Sequence, residues 1–175
     1  IGDSSGLLVT WNSPFSVREM DALEGTFCLV TETNQLWCWG DNGSGQLGSA
    51  NALVEHQPIL VDSGARHVGV GENHVCHLPL GDMAAIRCNG EDVPSPDDGH
   101  PVSGVLGPNA SAGQATQTVT QPFLIDAGSW HTCVLDEEAG RTPVKCWGDN
   151  SFGQLGHGVG DDAPTAIEAT AGVGF

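Results

Sequence analysis

Apolar runs at residues 27–30 and 36–39 flank a polar stretch at 31–35, within "TFCLVTETNQLWCWG". Runs this short, rich in strand-forming residues and split by polar ones, predict a β-hairpin rather than a helix. With Cys28 opposite Cys38, Leu29 faces Trp37, Val30 faces Leu36 and Thr31 faces Gln35. The loop is then Glu32, Thr33 and Asn34, with Asn34 placed where a left-handed residue is wanted. Strand alternation assigns Phe27, Leu29, Trp37 and Trp39 to one face, and Val30 and Leu36 with the cysteines to the other. A sheet that is apolar on both faces belongs in a stack.

The same arrangement recurs twice. Around "LGDM", His77 faces Arg87 and Leu78 faces Ile86; around "EEAGRT", Val134 faces Lys145 and Leu135 faces Val144. Each hairpin opposes one cysteine pair, which predicts disulfides Cys28–Cys38, Cys76–Cys88 and Cys133–Cys146. Closing loops of this size contributes roughly 2–3 kcal/mol each in the chain-entropy picture. Six cysteines spread evenly, with no Cys-x-x-Cys, read as bridges rather than metal ligands. Bridges imply an oxidising compartment, outside the cell or at its surface.

Two hairpins run on into nearly the same phrase, "CWGDNGSGQLG" at 38–48 and "CWGDNSFGQLG" at 146–156. Its glycines permit a chain of tight turns, Asp41 and Asn42 can bond the local backbone, and Leu47 is the apolar anchor. A calcium loop would need further carboxylates, so the turn reading is preferred. A diverged middle copy, "RCNGEDVPSPDDGHPVSGVLG", carries an inserted "PSPDDGHPV", expected to be a surface loop. Three units of about 50 to 60 residues thus account for most of the chain.

These phrases resemble the repeat of the regulator of chromosome condensation family, in its Cys-bearing secreted and surface variety. Residues 131–158 look like a near-complete copy and 27–48 like a second, while "RCNGED" replaces the Cys-Trp-Gly-Asp signature in the middle one. The resemblance implies an all-β fold, a β-propeller of four-stranded antiparallel blades, usually seven to a ring. Seven would need about twice this chain, so the expectation is a partial propeller of about three blades with unpaired terminal strands. Residues 1–19 then close a preceding blade through a strand at 7–11. Repeats follow at 20–61, 62–125 (with an expanded loop at 93–121) and 126–163. Because "APTAIEATAGVGF" looks like "QPFLIDAGSWHTC", residues 164–175 are expected to start a further blade, with a strand at 165–170. The chain begins with Ile and shows no signal segment, which suggests a processed or excised product.

The charge balance is 22 acids against 5 Lys and Arg, net −17, which speaks against nucleic acid. No stretch has the apolar length of a membrane span. Gly-x-Ser-x-Gly, phosphate-loop and His-Glu-x-x-His motifs are absent, so the reading is non-enzymatic, with no catalytic residue, cofactor or metal. His74 and His77 flank Cys76, but His131 also precedes Cys133, which makes histidine here a repeat position. Tryptophans 11, 37, 39, 130 and 147 mostly fall on strands and read as packing. Asn42-Gly43-Ser44 and Asn109-Ala110-Ser111 are glycosylation sequons, suited to a secreted protein.

Open strand edges invite pairing. The favoured function is therefore a structural module that assembles head-to-tail, into filament or ring, by completing blades between copies. The alternative is a secreted propeller that recognises or inhibits an unidentified protein. Nucleotide exchange on a small GTPase, which the family's namesake implies, is disfavoured by the cysteines. Peptide mapping without reduction should find only the three within-hairpin links; a link between repeats, or free thiol, would break the hairpin scheme.

Overall fold

The computed structural model describes residues 14–49, 53–91, 106, 115–158 and 163–169. The expected strand at 7–11, the inserted "PSPDDGHPV" and Asn109 lie outside them. Among the described residues there is no helix, and twelve strands form three four-stranded antiparallel sheets, each in sequential order. Blade 1 comprises β1 (Val17–Leu23), β2 (Thr26–Thr31), β3 (Leu36–Asp41) and β4 (Val54–Asp62). Blade 2 comprises β5 (Ala65–Val70), β6 (His74–Pro79), β7 (Ala85–Gly90) and β8 (Ala115–Thr118). Blade 3 comprises β9 (Pro122–Ala127), β10 (His131–Asp136), β11 (Val144–Gly148) and β12 (Ala163–Glu168).

The central hairpins have the register that side-chain alternation demands. Cys28 pairs with Cys38, Leu29 with Trp37 and Val30 with Leu36; His77 pairs with Arg87; Val134 pairs with Lys145 and Leu135 with Val144. Disulfides join Cys28–Cys38, Cys76–Cys88 and Cys133–Cys146. Asn34 closes the first hairpin at φ 62°, the left-handed residue of its loop, while Thr31 N–H donates to Gln35 O at 2.9 Å.

Three expectations about the outer strands need correction. Residues 163–168 do not begin a further blade: β12 pairs with β11, through Lys145↔Glu168 and Cys146↔Ile167, and so completes blade 3. Pro122 and Pro164 misled because both sit at the start of edge strands, β9 and β12, where a missing backbone donor costs nothing. Pro58 lies in β4, the corresponding edge of blade 1. Likewise, the expanded 93–121 region is not all loop, since β8 pairs with β7 from Ala85↔Thr118 to Cys88↔Ala115. Blade 1 also begins earlier than residue 20, at Val17.

The blades stack through their faces. At the first junction Cys28, Val30, Leu36 and Cys38 pack against Ala65, Val68, Val70 and Val75 of blade 2. At the second, Cys76, Leu78, Ile86 and Cys88 pack against Ile125, Val134 and Trp147 of blade 3. The first two disulfides thus lie on the side facing the next blade in sequence. Carboxylates of β1 bind β5 amides, Val68 N–H donating to Glu19 at 3.3 Å and Val70 N–H to Asp21 at 2.7 Å. Where β5 meets β9, a side chain at Gly69 would come to 3.0 Å from the Ala127 and Asp126 backbone, so glycine there suits the close approach of the two strands.

Charged and histidine groups reinforce the junctions. Asp62 at the end of β4 accepts from His77 at 3.0 Å and from Arg87 at 2.9 Å on blade 2. Burial raises its carboxyl, but the Gly64 amide, His77 and Arg87 outweigh that and hold it below its ordinary value. His74 is fully buried and its Nε2 lies 2.8 Å from Thr132 Oγ1 on blade 3. Burial, and then the neighbouring His131, push the His74 pKa down from 6.5 to about 3. Burial also lowers His77 and His131.

The unfolded chain takes up these protons near the ordinary value of about 6.5, which the folded chain resists. Stability is therefore expected to fall as pH drops from about 6.5 towards 4.5, before any low-lying carboxylate is protonated. The urea midpoint at pH 7 and pH 5 measures this, and His74→Gln should flatten the difference.

Candidate functional site

The repeated phrase uses nearly all its polar atoms on itself. After β3, Asp41 accepts from Gly43 N–H at 3.1 Å, Asn42 Oδ1 from Leu47 N–H at 2.9 Å, and Gln46 Oε1 from Ser44 N–H at 3.0 Å. After β11 the same bonds return: Ser151 N–H to Asp149 at 3.0 Å, Leu155 N–H to Asn150 at 3.1 Å and Phe152 N–H to Gln154 at 2.8 Å. Gln46 and Gln154 also donate to Asp41 and Asp149. Leu47 and Leu155 are buried anchors. Gly40, at φ 104°, must be glycine, because a side chain there would lie 2.0 Å from Gly25 O. These acids serve the turn, and among the described residues no group of three or more His, Cys, Asp or Glu could hold a metal.

Asn42 does not sit where a sugar fits. It is 3 % exposed, and its Nδ2, the atom a glycan would occupy, donates to Ser49 O at 2.8 Å. The sequon is satisfied by sequence alone, whereas the asparagine is committed to the turn. The His residues flanking Cys76 are likewise structural, His74 bridging to Thr132 and His77 to Asp62.

Among the described residues, two regions stand out for contact with another molecule. The first is the disulfide face of blade 3. Two residues before the second cysteine stand Leu36, Ile86 and Val144 in the three repeats; the first two are 0 % exposed and Val144 is 38 % exposed. Leu124 is also exposed there, and with Cys133, Leu135 and Val144 it lines a shallow apolar cleft of about 210 Å³. Blade 1 carries stacked aromatics on its opposite side, Phe27 on Trp39 at 4.3 Å and Phe15 on Trp37 at 4.7 Å.

The second region is a cleft of about 430 Å³ where the loops of blades 2 and 3 meet. Glu72, Trp130, His131, Asp149, Phe152 and Gln154 line it. Glu72 N–H donates to Ser129 O at 3.1 Å and Asp149 N–H to Trp130 O at 2.8 Å, which holds the three loops together. Burial raises the Asp149 carboxyl, but bonds from Ser151 and Gln154 and the nearby His131 outweigh it and keep it low, hence ionised. Sequence reasoning did not single out this cleft, although the substitution of Phe152 for Ser44 between the two phrases was its one visible trace.

Asn42→Ala should cost about 1–3 kcal/mol in chemical denaturation, by stranding the buried Leu47 amide. Glycopeptide mapping of secreted material should find Asn42 bare.

The model of the regulator of chromosome condensation (RCC1) repeat matches residues 24–46 and 124–154. Human WBSCR16 superposes with a TM-score of 0.70 at 19% identity, over 89% of this chain and 40% of that one. The crystal structure of Kap60 bound to yeast RCC1 (Prp20) gives 0.63 at 19% identity, over 89% and 37%. Prp20p from Saccharomyces cerevisiae gives 0.61 at 20% identity, over 89% and 39%. The chain therefore spans about two fifths of the length of these structures, and at such identities they speak to the fold. Repeat match, blade topology and superposition agree: residues 24–46 and 124–154 match the regulator of chromosome condensation repeat, and the described blades have the fold of part of a β-propeller.

Proposed function

We propose that the protein is a non-enzymatic interaction module of the extracellular space, and that a second copy of its own repeats covers its open blade face. The observation that carries this is the contrast at one repeat position, where Leu36 and Ile86 are fully covered by the following blade and Val144 is not. Each internal junction seats a disulfide face against the first strand and opposite face of the next repeat. The disulfide face of blade 3 has the same chemistry, and the opposite face of blade 1 keeps Phe27, Trp37 and Trp39 partly exposed around the buried Leu29. Stacking one on the other repeats the internal junction head-to-tail, giving a ring or a filament according to closure. Completion of a shared blade by residues 164–175 no longer enters, because β12 belongs to blade 3.

Three disulfides support the extracellular reading. Relatives of this fold have been studied with Kap60, Gsp1p and histones, which favours protein partners over small substrates. The second reading, a propeller that recognises a different protein, draws on the cleft at Phe152. Exchange on a small GTPase is the least favoured, since it belongs to a reducing compartment.

Sedimentation equilibrium of the 175-residue chain should give a mass that rises with concentration above 18.1 kDa. Val144→Glu, at a site exposed in the isolated chain, should return it to the monomer value with unchanged circular dichroism. A parent chain that stays monomeric at high micromolar concentration would refute the stacking.

A further inference from the structure

The two long turn phrases build one structure from sequences that differ at two positions, Gly43 against Ser151 and Ser44 against Phe152. At 44 and 152 the fold uses only the backbone, each N–H donating to the glutamine two residues on. The side chain is therefore free to vary, and in the third repeat it is a phenylalanine 91 % exposed to water. Nothing in the turn requires it, since Ser44 serves the same turn. A lone exposed apolar residue is ordinary on a protein surface. This one stands over a cleft that also holds Trp130, with Glu72 and the ionised Asp149 in its lining.

We infer that this cleft takes a cationic side chain, arginine before lysine, presented by a partner protein. The two aromatic rings supply faces for a guanidinium plane, the Glu72 carboxylate lies in the lining, and Asp149, bonded within its turn, adds negative charge behind them. Among the described residues no Lys or Arg lines the cleft. His131 does not compete at neutral pH either: burial lowers its pKa, and Asp149 and Asp126 offset that only in part. The net charge of −17 draws cationic segments towards the molecule from a distance, while the aromatics decide where they settle. In the first repeat the same turn carries Ser44 in place of Phe152, so the site is a property of the third repeat and not of the blade as such.

The site rests on the reading of the protein as an interaction module, yet is separate from stacking at Val144. The test titrates acetyl-Arg-Arg-Arg-amide into dilute Val144→Glu protein, with the citrulline tripeptide as the neutral control. Amide and indole resonances of the ¹⁵N-labelled chain are followed residue by residue. Saturable shifts should centre on the Trp130 indole and the amides of residues 149–154, with none from the citrulline peptide. Phe152→Ser, which restores the residue of the first repeat, should weaken binding about three- to tenfold. Glu72→Gln should weaken it and lessen its dependence on salt. Shifts spread evenly over the acidic surface, or equal affinity in the parent and Phe152→Ser proteins, would overturn the site while leaving the stacking reading intact.

Discussion

A four-stranded blade with apolar side chains on both faces cannot stand alone in water; each face has to meet another blade. That constraint organises everything else in this chain. The hairpin disulfide braces the two central strands and lies on the side turned to the following repeat, where it becomes part of the junction core. Its neighbours on that face, Val30 and Leu36, then Leu78 and Ile86, are fully covered. The reverse face accepts the preceding disulfide, through Val68, Val70 and Val75 in blade 2, and through Val134 and Trp147 in blade 3. The junction is directional, and a directional junction can be continued by the same chain or by another copy.

Polar groups were placed so as not to disturb that stack. Asp41, Asn42 and Gln46 satisfy the turn after β3, and Asp149, Asn150 and Gln154 the turn after β11, with matching bonds. Asp136, at 0 % exposure, accepts from the amides of Thr120 and Gln121 and from Lys145 at 2.7 Å, anchoring the entry to blade 3. Burial raises its carboxyl, but Lys145 and those amides more than compensate. A buried acid of this kind fixes a loop and leaves no spare capacity for chemistry.

Hairpin registers, disulfide pairs and the left-handed Asn34 were legible in the sequence because each depends on local alternation and turn geometry alone. The role of residues 163–168 was not, because a proline at the start of an edge strand fits the first strand of a blade as well as the last. Only the long-range pairing of β12 with β11 separates the two. The buried state of Asn42 escaped for a related reason: a sequon is a three-residue pattern, whereas burial is decided by Ser49 and Leu47 folding back upon it. Of the candidate cleft, Phe152 was visible as a changed letter. Its neighbours Glu72 and Trp130 come from two other loops, and their meeting is a consequence of blade stacking.

Repetition separates the two kinds of constraint within a single chain. Positions that the turn needs are the same in the first and third phrases, down to the glutamine that receives one backbone amide. The positions that differ are those whose side chains carry no shared bond in both copies: Gly43 needs none, and Ser151 adds a hydroxyl bond to Asp149 that the first copy lacks. Phe152 adds nothing to the turn and faces water. A binding function can therefore arise in one repeat without disturbing the stack. The repeat that acquires it is set apart only where the fold places no demand.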